Sequence, residues 1–433
     1  MLLIKNGFII SIDKNAGIYG GSLLIEGGRI KEVNPKNPPS DIPVFDATGF
    51  IILPGFIQTH IHLCQTLFRN LADDLPLIRW LKEKIWPLEG SHTPDSLRLS
   101  AQLGISELLL SGTTTIMDMG TVHYMDVVFE EIEKSGIRAF CGKTMMDSGE
   151  IPDSLLESTD KSIKSSIQLL ERWHNKEDGR IKYAFAPRFL LSCSEDLITE
   201  TAKLAENHDI PFHSHAAETQ FEIDYILDHH GVGNIQYFEQ LGAVRSNLCL
   251  AHCIWPQPNE KDVIKQNNIK VLHCPSSNLK LGSGIAPIPD YLDAGINVSL
   301  GADGAPCNNN LNIFQEMRLA ALIQKPIHGP EAMNAEQVIK MATIDGARAL
   351  NLENEIGSIE KGKKADLIFI ESDKIQTIPF DNIYAKLVYS TNQDSVTHVM
   401  VDGKWVVKDR NLCNYNELEL KSKITNISKA LIN

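Results

Sequence analysis

The chain has 433 residues and a formal net charge of −14, with 43% hydrophobic and 22% charged residues. That length exceeds one simple domain and fits a large domain with a smaller companion. The negative balance argues against a nucleic-acid polymer or an anionic membrane as partner, because both call for a basic face, and leaves a small molecule as the expected partner. No stretch is long and apolar enough to span a bilayer, and Met1–Gly7 shows no basic region followed by a signal-length apolar run. The eight cysteines are scattered with no CxxC pair. They read as buried thiols of a reducing compartment, so a cytoplasmic location is expected.

Residues 1–50 hold short apolar runs at Leu2–Ile4, Phe8–Ile12, Ser22–Glu26 and Arg29–Val33, with Gly20-Gly21 and Gly27-Gly28 between them. Glycine pairs between such runs mark hairpins and predict an all-β piece. From 51 to 303 eight apolar runs recur: Ile51–His62, Thr113–Met119, Ile137–Met146, Ile181–Phe189, Ile210–His215, Leu248–Cys253, Ile269–Cys274 and Ile296–Asp303. Amphipathic segments such as Pro94–Ser111 and Glu195–His208 lie between them, with Asp95 and Ser194 placed to start helices. Strand then helix, eight times over, predicts an α/β chain folded as a (β/α)8 TIM barrel. The rival, a doubly wound open sheet, wants a Gly-rich phosphate loop after an early strand. Lys280–Gly284 follows the seventh run and comes too late.

Helices are next expected at 312–324 and 335–350, and strands return at Ala365–Ile370 and Val396–Val401. Asp402-Gly403 then turns the chain into Trp405–Val407 as a two-residue hairpin. The simplest topology joins both chain ends in a small β-sandwich domain that the barrel interrupts. The expected divisions are 1–55 and 356–433 for the two parts of that domain, the second ending in a helix at about 416–432, and 56–355 for the barrel.

Active-site residues of a barrel sit at the C-terminal ends of its strands. The first run ends in His60 and His62, which share one face of an extended segment. The fourth ends in Arg188-Phe189, the fifth in His215 with Glu218 three residues on, the sixth in His252, the seventh in His273 and the eighth in Asp303. His60, His62, His215 and Asp303 make a three-histidine, one-aspartate set for one divalent metal, Zn²⁺ first, with Fe²⁺ or Mn²⁺ as alternatives. Such an ion acidifies its water, and Glu218 is placed to take the proton and pass it on. The plain alternative for Glu218 is a solvated residue opening the next helix. His252 either ligates the metal or donates a hydrogen bond at the attacked centre, and Asp303 steadies the attacking water. His213 and His273 read as packing or supporting histidines. A second metal would want a bridging lysine at the end of the fourth run. Lys182 begins that run and Arg188 ends it, so one metal per chain is expected.

With these residues in place, the sequence resembles the amidohydrolase superfamily over nearly its whole length. The resemblance rests on Pro54–His62, His215–Glu218, Ala251-His252, Gly301–Asp303 and the C-terminal Gly357–Leu367. It implies mononuclear metal-dependent hydrolysis, most often removal of an amino group from a heterocycle, and commonly a homo-oligomer such as a dimer. Gln65 with Gly142–Asp147, Leu170–His174 and Ala186–Phe189 is similar to guanine deaminases. By that resemblance Gln65 and Arg188 hydrogen-bond the purine and Phe189 packs on it; Trp80 joins the substrate set. Leu279–Pro287 and Asp303–Asn309 are instead similar to methylthioadenosine/S-adenosylhomocysteine deaminases and triazine hydrolases, and Glu89 matches a ribose-binding glutamate of the former. A solvated loop amide for Gln65, a surface ion pair for Arg188 and an exposed helix-start glutamate for Glu89 are the bland alternatives.

The reading that follows is a hydrolytic deaminase converting guanine to xanthine and ammonia. The first alternative is an adenosine-type nucleoside deaminase or a triazine hydrolase. The distant one is a non-catalytic binding protein, which would be expected to have lost a ligand or the glutamate.

Overall fold

The computed structural model describes residues 1–432 other than 16, 246 and 380; the side chains of 428–432, and residue 433 at the end of the expected C-terminal part, lie outside the described residues. Five strands open the chain: β1 (Leu2–Ile10), β2 (Ile18–Glu26), β3 (Arg29–Val33), β4 (Val44–Asp46) and β5 (Phe50–Pro54). β1 and β2, then β2 and β3, pair antiparallel. The second turn uses Gly27 and Gly28 at φ of 58° and 78°, backbone that a side chain would strain.

The next strands form the barrel. They are β6 (Phe56–His62), β7 (Thr113–Met119), β8 (Arg138–Gly142), β9 (Thr144–Met145), β10 (Ile181–Tyr183), β11 (Ala186–Pro187), β12 (Phe212–Ala216), β13 (Leu248–His252), β14 (Lys270–His273), β15 (Val298–Leu300) and β16 (Asp303–Gly304). The eight expected runs all supply strands, and the first, third, fourth and eighth are each broken into two pieces. Helices such as Pro94–Leu110 and Glu195–His208 fill the intervals, each begun by a side-chain cap from Thr93 and Ser194. The first of these caps lies one residue before the expected Pro94 start and two before Asp95.

All barrel pairings are parallel. One arc runs β10-β8-β7-β6-β16 and another β12-β13-β14-β15, with β9 and β11 as a short pair. The backbone ladder is therefore not continuous round the ring. On one side the arcs approach through the bridge from Phe185 to Phe212, and the Arg188 carbonyl accepts the His215 N–H at 3.0 Å. On the other side the buried Thr59 Oγ1 lies 2.7 Å from Ser299 Oγ and donates to the Leu300 carbonyl at 3.2 Å.

Four more strands follow: β17 (Leu367–Glu371), β18 (Val396–Val401), β19 (Lys404–Lys408) and β20 (Asn411–Leu412). The expected β-sandwich is not confirmed as two separate sheets. Both ends of the chain share one nine-stranded sheet in the order β20-β19-β18-β17-β5-β1-β2-β3, with β4 on β1. The two ends join because β17 hydrogen-bonds edge to edge with β5, Leu367 opposite Pro54 through Glu371 opposite Phe50. Alternation then serves two cores. Ile52, Leu367 and Phe369 pack within the sheet's own cluster, whereas Ile51, Leu53, Ile368 and Ile370 join the barrel cluster.

β5 and β6 are one apolar run split by Gly55, whose missing side chain leaves room for Thr114; a Cβ there would come within 2.1 Å of its hydroxyl. A buried ion pair adds a second tie: Arg138, which opens β8, donates to Asp366 at 2.8 and 3.1 Å and to Asp402 at 2.6 Å. The helix Glu417–Ile432 packs against the helix Pro94–Leu110 on the outside. Among the described residues no helix is long and apolar enough to cross a membrane.

Candidate metal centre and active site

β6 delivers His60 and His62 to one face, β12 brings His215, and Asp303 opens β16 beside them. One potential ligand atom from each lies within 4.8 Å of all the others, the one such group among the described residues. Hydrogen bonds behind the rings decide which nitrogens are free. His62 Nδ1 lies 2.7 Å from the Met119 carbonyl and His215 Nδ1 lies 2.7 Å from the Arg188 carbonyl. A carbonyl only accepts, so both Nδ1 atoms carry the proton and both Nε2 atoms keep a lone pair. His60 Nδ1 is 2.7 Å from His213 Nε2, and His60 Nε2 is buried with no partner. An orphaned buried nitrogen facing this cluster is what an ion would satisfy, so the residues fit a divalent metal.

Burial lowers the proton affinity of all three imidazoles, taking His62 to about 3 and His215 well below its usual range. A lowered proton affinity is what ligation demands. Asp303 goes the other way. Burial would raise its carboxyl, but His60, His62 and His252 outweigh that and hold it well below the usual range. Its Oδ1 lies 3.4 Å from His60 Nε2 and 3.3 Å from His62 Nε2, and its Oδ2 accepts from Ser277 Oγ at 2.6 Å. Ala217, His252 and Asp303 have φ of 51°, 73° and 62°, so backbone strain gathers round this centre.

Glu218 is buried, and burial raises its carboxyl. Ser283 Oγ donates to its Oε1 at 3.2 Å, and His252 Nε2 lies 3.5 Å from its Oε2. For His252, burial would lower the proton affinity, but Glu218 and Asp303 raise it overall. His252 Nδ1 is 2.8 Å from Asn278 Oδ1. His252 stands outside the four-ligand group, its Nε2 4.0 Å from Asp303 Oδ2. His213 supports His60 from behind, and His273 is buried with neither ring nitrogen partnered.

A cleft of about 370 Å³ opens over these groups. Gln65, Trp80, Arg188, Phe189 and Glu218 line it as expected, together with Leu77, Leu81 and Leu281, which the sequence did not single out. Glu89 is not an exposed glutamate. Its buried carboxylate accepts from Gln65 Nε2 at 2.8 Å and from Arg188 Nη1 at 2.8 Å. The surface ion pair for Arg188 and the solvated amide for Gln65 fall away too, since both side chains are buried. Ser277, Asn278 and Ser283 were missed. Their one signal was a polar stretch directly after the seventh apolar run.

The amidohydrolase family model matches residues 51–406. The chain belongs to the amidohydrolase family. This amidohydrolase is 41% identical to a 5′-deoxyadenosine deaminase of Methanobrevibacter smithii, over 98% of this chain and 96% of that one. It is 36% identical to a 5-methylthioadenosine/S-adenosylhomocysteine deaminase of Thermococcus onnurineus, over 95% of each. Among solved structures, an adenosine deaminase of Xanthomonas campestris with bound zinc superposes with a TM-score of 0.92 at 29% identity, over 98% of this chain and 97% of that one. A guanine deaminase of C. acetobutylicum with bound guanine superposes with 0.84 at 26% identity, over 93% and 99%. The amidohydrolase is accordingly a metal-dependent hydrolytic deaminase acting on C–N bonds. The non-catalytic reading falls. The relatives matched along the whole chain are named as nucleoside deaminases, which favours the nucleoside alternative over the guanine expectation.

Proposed function

We propose that this chain hydrolyses the 6-amino group of an adenosine-type nucleoside modified at its 5′ position, releasing ammonia and the inosine-type product. The observation that carries the reading is the buried Glu89 carboxylate tied to Gln65 and Arg188. Gln65 and Arg188 line the cleft and Glu89 lies directly behind them, so a carboxylate, an acceptor of the kind ribose hydroxyls need, stands next to the lining; guanine has no hydroxyl to offer. The names of the full-length relatives point the same way.

His60, His62, His215 and Asp303 would hold the ion, Zn²⁺ by their mix of nitrogen and oxygen donors, and a bound ion supplies the Lewis acidity that brings water near neutral pKa. The rest is work for the chain. Glu218 takes a proton from the attacking water as the new C–O bond forms at the ring carbon bearing the amino group, and delivers it to the adjacent ring nitrogen. A second proton goes by the same carboxyl to the amino group, the C–N bond breaks, and ammonia leaves. Ser283 keeps Glu218 in reach. His252, oriented by Asn278, donates to the oxygen that gains charge. Phe189 and Trp80 wall the purine, and Leu77, Leu81 and Leu281 exclude water.

The test is ammonia release by metal-replete protein given 5′-deoxyadenosine, methylthioadenosine, S-adenosylhomocysteine and guanine in parallel. Turnover of one or more nucleosides with guanine inert is the expected result. Turnover of guanine alone would overturn the nucleoside reading.

A further inference from the structure

We propose that Glu222 is a positioning residue that fixes the proton-carrying Glu218 by holding its backbone, an inference that rests on the role given to Glu218 above. Glu222 lies in the first turn of the helix Gln220–His230 and is buried, 2% exposed. Its Oε2 accepts the backbone N–H of Glu218 at 2.9 Å. In an ordinary capping box the third residue of a helix reaches back to the N–H of the capping residue itself. Thr219 is the cap here, and its side chain accepts the Glu222 N–H at 3.3 Å. Glu222 passes over Thr219 and takes the N–H one residue earlier.

That extra reach bears on a strained turn. Ala217 has a φ of 51°, unusual for a residue with a side chain, and it joins the metal-binding His215 to Glu218. Asn234 Oδ1 accepts the Ala217 N–H at 3.2 Å. The Ala217 carbonyl accepts from the backbones of Ile254 and Trp255 at 2.9 and 3.0 Å. With Glu222 on the next N–H, the polar backbone groups on either side of the Ala217–Glu218 peptide are held, and the Glu218 side chain is left one course, toward Ser283 and His252.

Helix capping alone does not account for this carboxyl. The cap is already supplied by Thr219, and Glu222 Oε1 is buried without a partner. An unsatisfied buried oxygen is a cost to the fold, so the carboxyl is held at a loss of stability. Reaction at Glu218 requires placement to a fraction of an ångström, and the backbone bond gives it.

The test compares Glu222→Ala with Glu222→Gln in the full-length, metal-loaded protein. Alanine removes the acceptor, whereas glutamine keeps an amide oxygen at the same reach. For Glu222→Ala we expect one metal per chain, kcat lower by roughly 10–100-fold and KM within about threefold. Glu222→Gln should recover most of kcat. Hydrogen exchange, which needs no substrate, should show the Glu218 amide deprotected in the alanine variant and protected in the glutamine one. If no nucleoside is turned over but exchange behaves this way, the substrate reading has failed and the positioning bond stands. Wild-type kcat in Glu222→Ala, loss of activity only in step with loss of metal, or unchanged exchange at Glu218 would each overturn the proposal.

Discussion

Arg188 Nη1 lies 2.8 Å from Glu89 Oε2, and the two side chains are 4% and 0% exposed. Each charge is out of water and answered by the other. Burial would lower the proton affinity of Arg188, but Glu89 raises it overall. Removing one member leaves an unpaired buried charge, so Glu89→Ala should cost about 3–5 kcal/mol of stability in urea unfolding. Glu89→Leu with Arg188→Met should regain most of that stability without regaining nucleoside turnover. Stability unchanged in Glu89→Ala would show that the pair is not the buried unit described.

His213 touches no ligand position of its own, yet its Nε2 lies 2.7 Å from Nδ1 of His60. A partner behind a metal-binding imidazole sets its orientation and basicity. His213→Phe, which keeps the volume and drops the hydrogen bond, should weaken metal affinity by roughly 10–100-fold. Chelator competition measures this directly, and equal metal retention in both proteins would refute it.

Glu218→Gln keeps the shape and the Ser283 contact but removes the transferable proton. Metal content should stay at the wild-type level while kcat falls by roughly 10²–10⁴-fold. A variant as active as the parent would remove Glu218 from the chemistry.

Glu316 is a buried carboxyl under the rim, accepting from Ser276 at 2.5 Å and Asn308 at 2.8 Å. Burial pushes it up from 4.5 to about 7. An acid whose folded value exceeds its unfolded one holds its proton longer when folded. Its stabilising share is therefore complete below about pH 4.5 and is lost as pH rises through about 7, on the order of 3 kcal/mol in all. Chemical denaturation at pH 5 and pH 8 should show this fall in the parent and a flatter profile in Glu316→Gln. An identical pH slope in both would contradict it.

Much of this was legible in the chain. The eight barrel runs were visible because buried parallel strands are written as short apolar runs, and the four ligands because each ends or follows one. Glu89 was legible as a residue of interest but not as a buried one, since nothing local to Trp86–Glu89 announces that Arg188, far along the chain, will meet it. That both chain ends share one sheet is not legible for a related reason. Alternation tells which residues face a core, but not whether two edges far apart in sequence will pair. Ser283 and Glu222 were passed over because their partners are a side chain 65 residues away and a backbone N–H, and neither leaves a mark in residue type.

The pairing of β5 with β17 also has a cost in time. β5 is made before the barrel and β17 after it, so a chain growing on the ribosome carries an open strand edge until residue 371 has emerged. At ordinary synthesis rates that wait from Pro54 to Leu367 lasts roughly 20 s to a minute. An unpaired apolar edge is a template for neighbouring chains. Premature termination anywhere in the barrel would leave more than a shortened enzyme: it would leave a first sheet whose β5 edge has no permanent partner and is open to aggregation.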